Sequence, residues 1–164
     1  MKTLLILTIA LVGSCASSKK EISHTMNQDI ANYKRKARAL VAENKAMASK
    51  QKLNSMSMKL IKLASPIMIG FQKKHPQCRE LMGLIKKRAM AMTRLSLEQI
   101  EVQYHEGSAL PKAPDVCYEA KELIVHPATV AILTSKNTLS KKHRVQIDDE
   151  IEEVLAHIDI LVEN

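Results

Sequence analysis

Residues 140–162, SKKHRVQIDDEIEEVLAHIDILV, decide the fold class of this chain. The apolar residues of the stretch recur in steps of four and three, and acidic residues fill the positions between them, which predicts an amphipathic α-helix. These apolar residues are Ile147, Ile151, Val154, Ile158 and Leu161. Because such a stripe is stable only when it packs against other helices, the stretch predicts a helical bundle.

The composition of the rest of the chain also favours helices. Leu, Ile, Ala and Met are plentiful, whereas the 164 residues include only three Tyr, one Phe, no Trp, four Gly and five Pro. Straight-chain aliphatic residues and Ala have high helix propensity, and strands are enriched in aromatic and β-branched residues. We therefore predict an all-α fold, a bundle of four to five mostly antiparallel helices around an aliphatic, Met-rich core.

The first helical segment spans residues 27–64, which contain neither Gly nor Pro and carry apolar residues at helical spacing. The apolar phase shifts across residues 50–52. The segment is therefore either one long helix or two helices, the second of them capped by Asn54 or Ser55. Pro66 either starts a helix or kinks a continuing one.

The second helical segment starts at Pro76 and carries an apolar stripe to about His105. Residues 96–99, SLEQ, match the capping-box pattern and allow a break near that point. The clearest loop of the chain follows at residues 107–115, GSALPKAPD, because its two prolines hold the backbone extended.

The segment after this loop is the least regular. A short helix is expected over about residues 115–125, and His126-Pro127 should interrupt it because proline lacks the N–H that a helix interior needs. Residues 125–133 are the one place where a strand is an alternative, since several of them are β-branched.

The charge of the chain is divided between its halves. Residues 19–94 contain 18 Lys or Arg and four acidic residues, whereas residues 95–164 contain six and thirteen. A basic half can bind anionic phosphate groups, including those of lipid headgroups. Alternatively, the acidic last helix packs against the basic first helix and the charges pair along their flanks, which the dense acids of residues 148–153 slightly favour.

The N-terminal stretch MKTLLILTIALVGSC, residues 1–15, has the order of an export signal. Lys2 precedes an apolar run that is shorter than the about 20 residues of a membrane-spanning helix. The run ends in Val12-Gly13-Ser14-Cys15, an apolar residue, two small residues and a thiol. This ending resembles the lipobox of bacterial lipoproteins.

The resemblance implies that the chain is cut before Cys15 and that the sulfur of Cys15 is acylated. Residues 1–14 are then a signal peptide, residues 15–25 a flexible lipidated tether and residues 26–164 a single helical domain. Because Ala16 and not Asp follows the cysteine, the resemblance also implies the periplasmic face of an outer membrane. Ordinary secretion with cleavage after Ala16 is the alternative.

Cys78 and Cys117 remain as an even pair in an oxidising compartment, where a disulfide is the expected state. If the helix from Pro76 ran unbroken to Tyr104, its far end would lie roughly 39 Å from Cys78. Residues 105–116 would then have to return nearly fully extended, and a break in the helix would shorten the return. We predict the bond, with a loop that lies along the helix.

Motifs of catalysis are few. The sequence has no glycine-rich phosphate loop, no nucleophile elbow and no His-Glu-x-x-His pair. His105-Glu106 offers an acid and a base, but this pair at a helix end is more often a solvated cap. Covalent haem needs Cys-x-x-Cys-His, which is missing. We expect no enzymatic activity and no cofactor.

Two Met-x-Met pairs offer soft thioethers for Cu(I), and they are Met56 with Met58 and Met90 with Met92. This metal site is a weak alternative, because residues two apart on a helix do not share a face and Met more commonly fills a core. Zinc at His105, Cys117 and His126 has no recognised spacing.

The remaining polar and proline-rich features have two interpretations. In the structural one they end a helix and form a rigid connector, and in the functional one they form an edge of the bundle that recognises a partner. The residues concerned are His105, Pro111, Pro114 and His126.

These patterns together predict an envelope lipoprotein that acts as a non-enzymatic structural or interaction module. Its expected partners are the membrane, through the lipid anchor, and either anionic lipid or another envelope protein. Nucleic acid is not expected, because the export signal and the scarcity of aromatic residues both argue against it. The alternative is a periplasmic helical bundle that handles copper through Met and His, or that binds haem or another ligand.

Overall fold

A computed structural model gives the fold of residues 15–135 and 138–163, with the backbone alone for residues 15–24. Within these ranges the chain forms six α-helices and no strand, so the predicted all-α bundle is confirmed, with six helices in place of four or five. The helices are α1 (Cys15–Lys45), α2 (Lys50–Lys74), α3 (Arg79–Met92), α4 (Leu97–Ile100), α5 (Asp115–Ser135) and α6 (Lys141–Glu163). A 3₁₀ turn, Pro76–Cys78, precedes α3, and a π-helical turn, Glu101–His105, continues α4.

Helix α5 lies at the centre of the bundle. It packs against α2, α3 and α6, and all its residues from Ala120 to Thr134 are buried. A helix buried on every side needs no polar face, which is why this segment lacks the amphipathic pattern of α6. The predicted interruption at His126-Pro127 is wrong, and so is the alternative of a strand over residues 125–133, because α5 continues through Pro127 to Ser135.

Tyr33 of α1 explains how α5 tolerates a proline. The nitrogen of Pro127 cannot donate to the carbonyl of Leu123, which stands four residues earlier. The hydroxyl of Tyr33, which is fully buried, donates a hydrogen bond of 2.8 Å to this carbonyl. The donor that α5 lacks thus comes from a residue 90 positions away from Leu123, where local sequence patterns do not reveal it.

Helices α1 and α2 are separate, and the break lies before the predicted caps Asn54 and Ser55. Ser49 is the N-cap of α2, and its hydroxyl accepts a hydrogen bond of 3.3 Å from the backbone N–H of Lys52. Met47 adopts a φ of 62°, which turns the chain between the two helices. Pro66 lies inside α2 and does not start a helix.

Asn54 instead joins α2 to the central helix. Its side-chain amide donates hydrogen bonds of 3.1 Å to the carbonyl of Ala131 and 2.9 Å to the hydroxyl of Thr134. Asn54 therefore links two helices across the bundle. The sequence alone does not distinguish this role from that of a helix cap.

Helix α1 begins at Cys15, where the sequence predicts a non-helical tether over residues 15–25. No Gly or Pro occurs between Ala16 and Ala64, and a helix that already packs through Met26 extends at little cost in nucleation. The predicted signal peptide, residues 1–14, lies outside the described residues. None of the helices in the described ranges is long and apolar enough to cross a membrane.

Helices α1 and α6 are antiparallel neighbours, as the alternative of flank pairing predicts. Lys34 near the middle of α1 pairs with Asp159 near the end of α6. The buried amide of Asn44, near the end of α1, donates a hydrogen bond of 2.9 Å to Asp148 near the start of α6. Exposed ion pairs contribute at most about 1 kcal/mol, so the apolar stripe of α6 dominates this contact.

Cys78 and Cys117 form the predicted disulfide, with their Cα atoms 5.2 Å apart. The helix between them is broken at the capping box that the sequence contains. The Ser96 hydroxyl accepts from the backbone N–H of Gln99 at 3.1 Å, and the Gln99 side chain accepts from the backbone N–H of Ser96 at 2.9 Å. This break shortens the return path to Cys117.

The loop that returns to α5 packs onto the bundle. The hydroxyl of Tyr118 accepts a hydrogen bond of 3.2 Å from the N–H of Ala113 and donates one of 3.1 Å to the carbonyl of Pro111. Leu110 and Ala113 are partly buried against the core. The loop therefore does not project into solvent, as predicted.

Tyr33→Phe tests the role of the hydroxyl on α1. The substitution leaves the carbonyl of Leu123 buried without its donor, so we expect the free energy of unfolding, measured by urea titration, to fall by about 1 to 3 kcal/mol. Tyr118→Phe is the matched control, because water can reach its loop partners and the loss should stay below about 1 kcal/mol. Unchanged stability of Tyr33→Phe would contradict the role assigned to this residue.

Candidate metal centre

The central helix carries polar side chains into the core beside α6. Lys121, Glu122, His126 and Thr129 are all buried. Removing ionisable groups from water costs several kcal/mol unless other polar or charged groups compensate. A cluster of such residues in the most buried helix of the bundle is therefore the feature of this fold that most needs an explanation.

Helices α5 and α6 share one pattern of ligating residues, Glu-x-x-Glu-x-x-x-His. It occurs as EAKELIVH at residues 119–126 and as EIEEVLAH at residues 150–157. Spacings of three and four residues place the three side chains of each pattern on one helical face. This repetition is visible in the sequence, but the acids of residues 148–153 were interpreted there only as charges that pair along the flanks with the basic first helix.

The two patterns meet in opposite directions, because α5 and α6 are antiparallel. Nδ1 of His126 lies 2.8 Å from Oε2 of Glu150, and Nδ1 of His157 lies 2.6 Å from Oε2 of Glu119. The first glutamate of each pattern thus contacts the histidine of the other. The rings of His126 and His157 stack with their centroids 5.3 Å apart.

Glu122 lies between these two pairs. One of its carboxylate oxygens, Oε1, pairs with the ammonium group of Lys121. The other oxygen, Oε2, lies 3.7 Å from Nε2 of His126. Both of these atoms are buried, and neither has a hydrogen-bond partner among the described residues. Leaving a buried polar atom unpaired costs about 1 to 3 kcal/mol, so this gap is costly unless something binds there.

The π-helical turn after α4 places His105 beside the same cluster, and such turns occur frequently at functional sites. Nδ1 of His105 lies 3.5 Å from Oε2 of Glu122, and its Nε2 lies 3.9 Å from Oε2 of Glu150. Nε2 also lies 3.2 Å from the hydroxyl of Thr129. The ring centroids of His105 and His126 are 4.8 Å apart.

Two groups of three side chains place their ligand atoms within 4.8 Å of one another. The groups are Glu122, His126 and His157, and His105, His126 and Glu150. Ligands bound tetrahedrally at about 2.0 to 2.2 Å from a zinc ion are about 3.4 Å apart, so small side-chain rotations bring either group to binding distance. His126 belongs to both groups.

Burial favours the neutral form of two histidines of this cluster, His105 and His126. It lowers the pKa of His105 to about 3, helped by the nearby His126, Lys121 and His157. It also lowers the pKa of His126. Neutral imidazole is the form that binds metal ions, so these two side chains need not lose a proton before they act as ligands.

Burial has the opposite effect on the pKa values of two carboxylates, Glu150 and Glu122. It raises the pKa of Glu150 to about 8, and repulsion from Glu153 adds to the effect. It also raises the pKa of Glu122, although Lys121 and His126 act against the shift. Near neutral pH the close pair of Glu150 and His126 is therefore neutral, with one proton on the carboxyl group. A bound cation would favour the ionised carboxylates.

The zinc ligands considered from the sequence are partly right. His105 and His126 do converge, but Cys117 is bonded to Cys78 and cannot bind a metal ion. Glu150 takes the third position beside the two histidines. Glu106 is exposed, and the ion pairs of His105 in the described residues join it to Glu122 and Glu150, so the structure does not pair His105 with its neighbour in the sequence.

The methionine pairs do not share a face in the structure. Met92 is fully buried, whereas Met90 is 47% exposed. Met56 and Met58 are partly buried against the apolar core. This is the arrangement expected of residues two apart on a helix, and it favours packing over the binding of Cu(I).

The two histidines of the predicted recognition edge, His105 and His126, are not surface residues. His126 is only 2% exposed and lies inside α5, so it is not a surface residue. The side chain of His105 is also mostly buried. Pro114 is exposed and Pro111 is partly buried, and both remain on the loop before α5.

Comparisons of the chain with models of protein families, with curated proteins and with solved structures find no match. The assignment of a function therefore depends on the geometry of this cluster.

The stability of the metal-free protein should fall above pH 6.5. The pKa of Glu150 is about 8 in the folded state against 4.5 for an ordinary glutamate, so between these values the folded state holds a proton that the unfolded state has lost, and stability falls as the pH rises. The pKa of His105 is about 3 in the folded state against 6.5 for an ordinary histidine, so between these values the unfolded state holds the extra proton. Stability therefore rises with pH in that range, and the rise ends near pH 6.5. Only the fall remains above that value.

We therefore expect the free energy of unfolding to drop by about 2 kcal/mol between pH 6.5 and 8, at about 1.4 kcal/mol per pH unit. Urea titrations in the presence of a chelator measure it. Glu150→Gln keeps the size of the side chain and removes its titration, so this variant should show a much smaller drop. Equal stability of the wild-type protein at pH 6.5 and pH 8 would contradict the raised pKa of buried Glu150.

Proposed function

We propose that this protein binds a divalent first-row transition-metal ion between α5 and α6. The ligands are Oε2 of Glu122 and Nε2 atoms of His126 and His157. The observation that carries the proposal is the pair of buried atoms, Glu122 Oε2 and His126 Nε2, which face each other at 3.7 Å and lack hydrogen-bond partners. A cation between them compensates both.

The remaining polar atom of each ligand is already held by a partner. Glu150 contacts Nδ1 of His126, and Glu119 contacts Nδ1 of His157. Histidines that bind metal ions almost always donate their other N–H to a carboxylate or carbonyl group, which fixes the tautomer and the ring orientation. Lys121 holds the second oxygen of Glu122 in the same way. Each of the three proposed ligands thus has a partner that fixes its orientation.

Two imidazoles and one carboxylate form a donor set typical of Zn²⁺ and of non-haem Fe²⁺. Nitrogen and oxygen donors separate this site from a thioether site for Cu(I), which was the metal alternative from the sequence. Three protein ligands leave a coordination position for water or another molecule. The proposed function is binding of the ion, and it includes no reaction.

We further propose that the bundle acts in a bacterial envelope, on a lipid anchor at Cys15. The lipobox-like ending of the N-terminal stretch supports this location. The part of α1 before the buried Met26 would connect the anchor to the core through about 16 Å of helix, at about 1.5 Å per residue over residues 15–25. Incorporation of labelled palmitate that Cys15→Ser abolishes tests the anchor, and equal labelling of both proteins contradicts it.

Zinc titration of chelator-treated protein tests the metal site. We expect calorimetry to show micromolar or tighter binding for the wild type and binding weakened by at least about 100-fold in His157→Ala, which loses a ligand. His157 is partly exposed, so its truncation should leave the fold intact, and circular dichroism checks this.

His143→Ala is the matched control, because His143 also lies on α6 and is partly exposed but stands outside the cluster. Its zinc affinity should equal that of the wild type. Absence of zinc binding by the wild type, or equal weakening in both variants, would overturn the proposed function.

A further inference from the structure

The two ring nitrogens of His126 face different carboxylates. Nε2 lies 3.7 Å from Glu122 Oε2 on α5, and Nδ1 lies 2.8 Å from Glu150 Oε2 on α6. His126 is also the one residue common to the two groups of ligand atoms found in the described ranges. The second group adds His105 and Glu150, so two sets of three donors share His126 and each set contains one of the two carboxylates that its ring nitrogens face.

We propose that the centre holds two divalent ions bridged by the imidazole ring of His126. The first ion is that of the proposed function, on which this inference rests. The second ion binds Nδ1 of His126, together with His105 and Glu150. When only the first ion is bound, Nδ1 of His126 keeps its proton and Glu150 is the outer partner of the ring. Entry of the second ion displaces that proton to solvent and converts both groups into ligands.

The charge of the cluster favours a second cation. Glu119, Glu122, Glu150 and Glu153 surround the histidines, and Lys121 is the nearby cation within the described residues. One divalent ion and Lys121 together offset three of the four negative charges that the ionised carboxylates carry. Loss of a proton from the bridging ring adds one more negative charge, so the second ion meets a site that is still anionic.

The position of His105 supports the same arrangement. The π-helical turn ends at His105, and its backbone carbonyl accepts a hydrogen bond of 3.2 Å from Lys121, the residue beside Glu122. This contact fixes the turn against α5. Nε2 of His105 lies 3.9 Å from Glu150 Oε2, whereas Thr129 offers a hydroxyl at 3.2 Å from the same nitrogen. A rotation of the ring from the hydroxyl toward the carboxylate supplies the third ligand of the second ion.

Native mass spectrometry of the full-length protein, stripped by chelator and then saturated with Zn²⁺, counts the ions. We expect two ions in the wild type and in the control His143→Ala. We expect one ion in His105→Ala and one in Glu150→Gln, because each substitution removes a ligand of the second ion and spares the three ligands of the first. Circular dichroism of both variants verifies that they fold.

The outcomes separate this inference from the proposed function. A wild type that binds one ion at saturation overturns the second site and leaves the first standing, and so does retention of two ions in both His105→Ala and Glu150→Gln. A wild type that binds no ion overturns both proposals. One ion in each of these two variants, against two in the wild type and the control, supports the bridged pair.

Discussion

The hydrogen bond from the hydroxyl of Tyr33 to the carbonyl of Leu123 is the interaction on which the candidate site depends. Because this donor replaces the N–H that Pro127 lacks, α5 runs unbroken past the proline. His126 then lies within a helix and not at its end, seven residues after Glu119 on the same face. Only a continuous helix keeps Glu119, Glu122 and His126 in the spacing that meets α6.

The packing of α5 and α6 turns a repeated sequence pattern into a compact cluster. Because the two helices are antiparallel, each histidine lies beside the first glutamate of the other helix, and the rings of His126 and His157 also stack. The buried cluster is costly for the metal-free protein, since Glu122 Oε2 and His126 Nε2 have no hydrogen-bond partner among the described residues. Binding of cations offsets that cost, and the energy of metal binding then also stabilises the fold.

Part of this structure follows from the sequence, and the reason differs from element to element. The stripe of α6, the capping box at Ser96 and the disulfide of Cys78 are local or compositional signals, and all three are confirmed. The continuity of α5 was missed because its decisive donor, Tyr33, is remote in sequence. The helical structure of residues 15–25, which the sequence predicts to be a flexible tether, was missed because the absence of an apolar pattern does not prevent a helix from extending beyond its packed part.

The candidate site was only half accessible from the sequence. The sequence analysis names both His105 and His126, but their convergence depends on the π-helical turn that ends at His105, and no sequence motif predicts that turn. Glu150 stands among the acids of residues 148–153, which the sequence marks only as charges on the flank of the last helix, whereas its side chain is only 13% exposed because α5 packs against α6 there.

 

X-ray absorption spectroscopy of the zinc-loaded protein tests the central claim most directly, because it identifies the atoms bound to the ion. We predict a shell of nitrogen and oxygen atoms alone, at about 2.0 to 2.2 Å, with the outer scattering of imidazole rings. A sulfur atom at about 2.3 Å, or a shell without imidazole scattering, would contradict the assignment of the ion to the histidines and glutamates between α5 and α6.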